Sequence, residues 1–339
     1  MKSTPLAFDA IEPAAEAGAT LQVEALTVDV TVEGEVIRIV DAITFAIRPG
    51  EHVALVGESG SGKSVTARAI MRLDRRASLG GRLTFEGQDL LALSEAGMNR
   101  YRGSSIGMVF QDPMASLDPL MSIGNQVAET LRIRGVPRSA AKARAVTILS
   151  ELGVGHAAER FASYPHEFSG GMRQRVVLAM ALVGEPRLLI ADEPTTALDV
   201  RVQEQVLDVL DEISQRRKLA VLLITHDLGI VAGFADRVLV MYAGRIVEEG
   251  SVERIFANPL HPYTQGLIAA IPRTDRAVDR LSAIPGAPPP PRARPSGCAF
   301  HPRCAQRMER CTNDAPGIFG LEVSRRVACH LYDPNGESR

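Results

Sequence analysis

Gly57-Glu58-Ser59-Gly60-Ser61-Gly62-Lys63-Ser64 fits the pattern G-x-x-x-x-G-K-[ST], with Val65 following. Glycines at these places let backbone N–H groups turn inward around phosphate oxygens. The next helix presents its positive N-terminal end to the same anion. Lys63 then reaches the β- and γ-phosphates, and the Ser64 hydroxyl ligates Mg²⁺. The structural alternative is a glycine-rich turn before an ordinary helix. Lysine is scarce here, four residues against 34 arginines, so a lysine inside the motif counts for more.

Four further groups could act on the same phosphate. In Arg187 to Pro194 (RLLIADEP) an apolar run ends in adjacent carboxylates. Asp192 can hold Mg²⁺ through its shell, and Glu193 can polarise a water for in-line attack on the γ-phosphate. Taken alone, Asp-Glu-Pro reads more simply as a helix cap with first-turn acids. His226 closes LLITH as a candidate γ-phosphate contact, with Asp227 able to cap the next helix. Gln111 ends GMVFQ, where the plain alternative is a solvated turn residue. Phe168-Ser169-Gly170-Gly171-Met172 is a second place where small residues open a helix onto an anion. One subunit does not need two such sites for one γ-phosphate, so the second is expected to read nucleotide held by another subunit.

The elements that must carry these groups follow from hydropathy. Val53 to Val56 is an apolar run ending in the glycine-rich turn, and SVTARAIMRL has helical spacing: strand, loop, helix. Leu188 to Ile190 and Ala220 to Ile224 are continuous apolar runs, as strands buried on both faces of a parallel sheet require. Arg237 to Tyr242 and Arg245 to Glu249, joined by Ala243-Gly244, read as a terminal hairpin. Between about 112 and 168, Glu129 to Arg134 and Ala140 to Leu152 read as helices, a helical insertion in an α/β core. From Phe256 onward the character changes, and 284–297, with Pro288 to Pro291 consecutive, reads as a stiff linker.

Composition excludes several classes. A 45% apolar and 23% charged chain of 339 residues has a full core, and a net charge of -2 gives no pull toward nucleic acid or membrane. No apolar run approaches the ~18 to 20 residues that span a bilayer. The N-terminus MKSTPLAFDAIEPAAEAGA has acids and a proline where a secretory signal needs a basic start and an apolar stretch.

In the order of these motifs the sequence resembles the ATP-binding subunits of ATP-binding cassette (ABC) transporters. The match covers about residues 22–255: phosphate loop (Gly57 to Ser64), Q-loop Gln111, and the signature FSGGM in place of LSGGQ. Walker B (Leu188 to Asp192) with Glu193, the D-loop (Ala197-Leu198-Asp199) and the switch His226 complete it. The resemblance implies a P-loop NTPase core of the α/β class with an antiparallel β subdomain, an inserted helical subdomain and a C-terminal extension. It also implies a head-to-tail dimer, with ATP sandwiched between one subunit's phosphate loop and the other's Ser169 to Gly171. Mg²⁺ would be held by Ser64, Gln111 and Asp192, and the helical insertion would pass closure to membrane subunits. One departure stands out: Leu21 to Thr44 contains no aromatic to stack on adenine, and alignment puts Ile37 or a neighbour there. An aromatic stack is worth ~1 to 3 kcal/mol in comparable sites, so adenine affinity is expected to be lower.

His261-Pro262-Tyr263-Thr264, the segment QDPMASLDPL and the ending GCAFHPRC…C…RRVACHL resemble the ATPases of dipeptide, oligopeptide and nickel importers. The plain alternative for HPYT is an exposed helix start. Cys298, Cys304, Cys311 and Cys329, the only cysteines, lack the paired C-x2-C spacing of zinc ribbons. A reducing compartment argues against disulfides. Four thiolates in one short tail can ligate a 4Fe-4S cluster, which members with this tail are thought to carry; zinc is the alternative. The seven arginines of 288–326 either offset such a cluster or form a solvated basic surface.

The divisions expected are a tail (1–21), the nucleotide-binding domain (22–255) and an extension (256–339) with linker (284–297) and cysteine cluster (298–329). The implied partners are a second ATPase subunit in a heterodimer, two permeases and an external solute-binding protein, with no nucleic acid. The implied location is peripheral, on the cytoplasmic face of a bacterial inner membrane. Nickel chelates, other peptide-like solutes or a glycoside are alternative cargoes. A soluble ABC ATPase acting on nucleic acid and a non-hydrolysing redox sensor are the alternative classes.

Overall fold

A computed structural model of the chain describes residues 18–112, 116–195, 198–271, 284–322 and 325–334. Pro113, Met114 and Ala115 of the QDPMASLDPL segment, Ala197 of the D-loop and most of the N-terminal tail lie outside them. Strands β1 (Leu21–Val32), β2 (Glu35–Ile47), β4 (Ala77–Phe85) and β5 (Gln88–Asp89) form an antiparallel sheet in the order β2-β1-β4-β5. Between them in sequence, β3 (His52–Val56) belongs to a second sheet with β6 (Ile106–Val109), β7 (Leu188–Asp192), β8 (Ala220–Thr225), β9 (Arg237–Tyr242) and β10 (Arg245–Ser251).

β11 (Phe319–Glu322) and β12 (Arg325–Val327) complete that sheet in the order β11-β12-β10-β9-β3-β8-β7-β6. The strands β9, β3, β8, β7 and β6 run parallel. Every residue of β3, β7, β8 and β9 is buried, which is why these strands read as unbroken apolar runs instead of alternating ones.

No strand lies between Val109 and Leu188 among the described residues; helices Ile123–Arg132, Arg138–Glu151 and Ala157–Arg160 fill that stretch and pack on helix Gly170–Leu182. The first helix starts six residues before the Glu129 expected from sequence. Gly124 lies under the Phe161 ring, where a Cβ would come within 2.2 Å of Cδ2, so packing and not helix propensity carries the helix through it.

Two expectations about the C-terminal part are corrected. The β9–β10 hairpin is not the end of the sheet: β12 pairs with β10 (Glu248↔Val327, Glu249↔Arg326), and β11 pairs with β12. The arginines there are not simply a solvated surface: Arg292 and Arg307 are exposed, but most of the seven are held in ion pairs. Arg325 and Arg326 pair with the buried Glu248 and Glu249, Arg303 with Glu58, Arg310 with Asp333, and Arg292 with Glu35. The pairs of Arg292, Arg303, Arg325 and Arg326, with Tyr263 and Phe300 packed beside Val56, Val240 and Tyr242, staple the extension to the core. HPYT is a helix start, but a buried one. His261 is 1% exposed, its Nδ1 accepts the Tyr263 N–H, and Glu248 accepts the N–H groups of Leu260 and His261. Full burial depresses the His261 imidazole pKa to about 3, so it stays a neutral acceptor at the helix start.

Candidate functional site

Four parallel strands end side by side, and each hands one functional group to the same edge. Val56 leads into the glycine-rich loop, Val109 to Phe110 and Gln111, Asp192 to Glu193, and Thr225 to His226. The registers Val56↔Thr225, Asp192↔Ile224 and Val109↔Ala191 set these ends level. Ligands of open α/β sheets bind outside such carboxyl ends.

The loop turns into helix Lys63–Ile70 at Gly62, whose φ of 109° is open to glycine and costly for other residues. A Cβ there would also press on the Met241 Cε at 2.9 Å. Lys63, 5% exposed, donates from Nζ to the carbonyl oxygens of Gly57 (2.7 Å) and Glu58 (3.0 Å). Burial lowers its pKa, against the pull of Glu193, Asp192 and Glu58. Asp192 is shifted the opposite way: burial raises its carboxyl pKa, and the hydrogen bond from Ser64 Oγ to Oδ1 (2.9 Å) opposes that. A buried carboxylate and a hydroxyl in contact are hard oxygen donors that a divalent cation would satisfy, so Ser64 and Asp192 fit Mg²⁺.

Glu193 stands next to this pair with φ at 48°, a left-handed conformation held by its N–H donating to the Ile224 carbonyl (2.8 Å). Strained backbone of this kind collects where a side chain has to be aimed. Its carboxylate accepts from Gln111 Nε2 at Oε2 (3.0 Å), and His226 Nδ1 lies 3.0 Å from Oε1. Gln111 is thus brought to Glu193, and it makes no hydrogen bond to Ser64 or Asp192. Gln111 and His226 are both exposed.

The Ser169 side chain caps helix Gly170–Leu182, accepting from the Met172 N–H, and Asp199 caps helix Val200–Arg217, accepting from the Val202 N–H (3.0 Å). Ser169, Gly170 and Asp199 are exposed, Phe168 is buried, and Gly171 and Met172 are half-buried. Exposed donors at a helix start suit an anion brought by another molecule. Ile37 is buried on β2 opposite Val30, on one face of the sheet. Val30, Val28 and Val65 line a small apolar hollow of about 50 Å³ there, and Ile37 is not part of its lining.

The four cysteines are free thiols. Each sulfur meets a nearby backbone N–H: Cys298 those of Phe300 and His301, Cys304 that of Gln306, Cys311 that of Met308, and Cys329 that of Leu331. Cys298, Cys304 and Cys311 all lie near enough to disfavour a thiolate at Cys329, so one neighbourhood holds all four. Among the described residues, however, no three His, Cys, Asp or Glu side chains stand in metal-holding geometry. Burial pushes Cys298 and Cys304 up and Cys329 to about 12, so these three bare thiols stay protonated at neutral pH. Thiolates here need a cation to hold them, and N–H groups directed at sulfur are what metal-bound thiolates use. The donor set fits a metal in its chemistry.

Sequence reasoning missed the hold of the extension on the loop. Tyr263 and Arg303 both reach Glu58, across 205 and 245 residues.

Comparison with known proteins gives a consistent answer. The profile of the ABC transporter family matches residues 40–196, and that of the oligopeptide/dipeptide transporter C-terminal region matches 247–311. A putative peptide import ATP-binding protein of Brucella abortus is 47% identical over 94% of this chain and 96% of its own length. The oligopeptide transport ATP-binding protein OppD of Salmonella typhimurium is 47% identical over 88% and 89%. Among solved structures, a dimeric ATP-binding cassette with ADP and Pi aligns at TM-score 0.61 and 27% identity over 68% of this chain and 98% of that one. The cassette cbiO1 from Clostridium perfringens gives 0.63 and 29% over 71% and 92%.

Proposed function

Because this chain belongs to the ATP-binding proteins of ABC transporters, on their oligopeptide and dipeptide branch, we infer that it hydrolyses ATP to energise peptide import. The observation that carries the chemistry is Glu193, held between Gln111 and His226 one residue beyond the Ser64–Asp192 contact. Backbone N–H groups of the Gly57–Ser64 loop and Lys63 bind the phosphates. Ser64 and Asp192 would hold Mg²⁺, which supplies charge neutralisation on the β- and γ-phosphates. Glu193 takes a proton from water as the water oxygen bonds to the γ-phosphorus and the bond to the ADP oxygen breaks in line. His226 and Gln111 orient Glu193 and the water. The adenine rests on the side chain of β2 that takes the place of the usual aromatic stack, Ile37 or a neighbour.

Ser169, Gly170, Gly171 and Asp199 face the nucleotide of a second ATPase subunit, a sibling of the same fold in a heterodimer. Two permeases and an external solute-binding protein complete the assembly, with this chain peripheral on the cytoplasmic face. Among the described residues no helix is long and apolar enough to cross a membrane. The test is reconstitution with copurified permeases and sibling. Peptide-loaded binding protein is expected to stimulate ATP turnover, and stimulation by nickel chelates or glycosides alone would reassign the cargo.

Cys298, Cys304, Cys311 and Cys329 are proposed to hold a 4Fe-4S cluster, supported by four thiols with N–H groups on their sulfurs in one neighbourhood. Such a cluster supplies a one-electron couple or a covalent staple. Anaerobically purified protein is expected to absorb broadly near ~400 nm and to contain iron and sulfide, with Cys329→Ser losing both. Stoichiometric zinc without that absorbance would replace the assignment.

A further inference from the structure

Glu58 is the only acid in the glycine-rich loop, and residues far along the chain hold it on two sides. Its N–H donates to the Tyr263 hydroxyl (2.8 Å). Its carboxylate receives the Arg303 guanidinium as a two-pronged fork, Nη1 to Oε2 at 2.6 Å and Nη2 to Oε1 at 2.9 Å. The Arg303 side chain is 5% exposed and is itself fixed. Nε donates to the Pro285 carbonyl (2.8 Å), Nη2 approaches those of Ile284 and Gly286, and the rings of Tyr242 and Phe300 flank the guanidinium. Tyr263 is fully buried against the same two rings. A planar fork preset in this way, in a site of low dielectric, binds carboxylate more strongly than a surface pair does.

An unpaired carboxylate in a loop that must admit a polyanion opposes the anion directly. A loop whose second residue is free to turn does not keep its N–H groups converging. We propose that Arg303 and Tyr263 are positioning residues of the ATP site: acting through Glu58, they cancel the loop's negative charge and hold its backbone in the anion-accepting shape. The extension is then a working part of the nucleotide site, and the turn carrying Cys298 and Cys304 forms the loop's outer support.

The inference rests on reading Gly57–Ser64 as the phosphate loop. The test uses the full-length chain with its sibling subunit, fluorescent ATP binding and steady-state turnover. Arg303→Met is expected to raise Kd and KM for ATP about tenfold while kcat stays within about threefold, because the loss falls on binding. Adding Glu58→Gln to Arg303→Met is expected to recover most of that affinity, since no charge is left unpaired, an effect that loosened folding alone would not produce. Tyr263→Phe keeps the ring, removes only the acceptor, and is expected to raise KM about threefold. It carries the test if Arg303→Met does not fold. Unchanged Kd and KM in Arg303→Met or, failing that, in Tyr263→Phe, or an Arg303→Met deficit that Glu58→Gln does not relieve, overturns the proposal. Lys63→Ala separates the two levels. If it binds ATP like the parent, the phosphate-loop reading fails; if it loses ATP while the Arg303 and Tyr263 variants keep theirs, only the present inference fails.

Discussion

Glu193→Gln is expected to lower ATP turnover by about 10²–10⁴-fold, the range set by removing a positioned general base, with ATP affinity nearly unchanged. The glutamine is isosteric and can keep a hydrogen bond to one of the two flanking side chains, so the site keeps its shape. What is lost is the capacity to accept a proton from water. Because the Glu193 backbone conformation comes from its N–H to Ile224 and not from the carboxylate, folding should be unaffected. Binding without hydrolysis should also trap the closed pair, so size-exclusion chromatography with Mg-ATP should show a dimer that the parent protein populates only transiently. Turnover within threefold of the parent would assign the base elsewhere, with His226 the next residue to test, since it lies within hydrogen-bond reach of the same carboxylate.

The parts of this site legible in the sequence are those whose physics is local. A phosphate loop must be glycine-rich and lead into a helix, and strands covered on both faces must be continuously apolar, as β3, β7 and β8 are. What sequence could not show is compensation at long range. Arg325 and Arg326 read either as charge offsetting a cluster or as a solvated surface, yet they pair with Glu248 and Glu249 across 77 residues, and β12 sits in the sheet without an apolar pattern. The helix through Gly124 was hidden for a related reason, since the glycine is required by the Phe161 ring and not by the helix. The hold of Arg303 on Glu58 is the functional case: neither residue departs from its motif, and only the fold brings a cysteine-turn arginine to a phosphate loop.

Gly170→Asp is the sharpest test of the claim that each nucleotide is gripped by two subunits. A Cβ at Gly170 would meet only Leu198 Cδ2, at an ordinary 3.5 Å, and its backbone is helical, so the site accepts a side chain. An acid in the first turn of helix Gly170–Leu182 complements the helix dipole, so folding stability should hold or rise slightly. The same carboxylate sits where the exposed N–H groups would receive phosphate and repels it. Gly171→Ala serves as the contrast: its Cβ would come within 2.3 Å of Val202 Cγ1, so it should destabilise the packing by about 1–3 kcal/mol in chemical denaturation. Gly170→Asp should therefore leave ATP binding by the isolated chain intact, because the chain's own loop is untouched. Turnover by the assembled pair should fall by at least about 100-fold, the loss typical of removing preorganised donors. If the isolated chain itself loses ATP, the signature helix reads its own subunit's nucleotide. If the pair turns over normally, that helix reads none, and the joint site between subunits has to be abandoned.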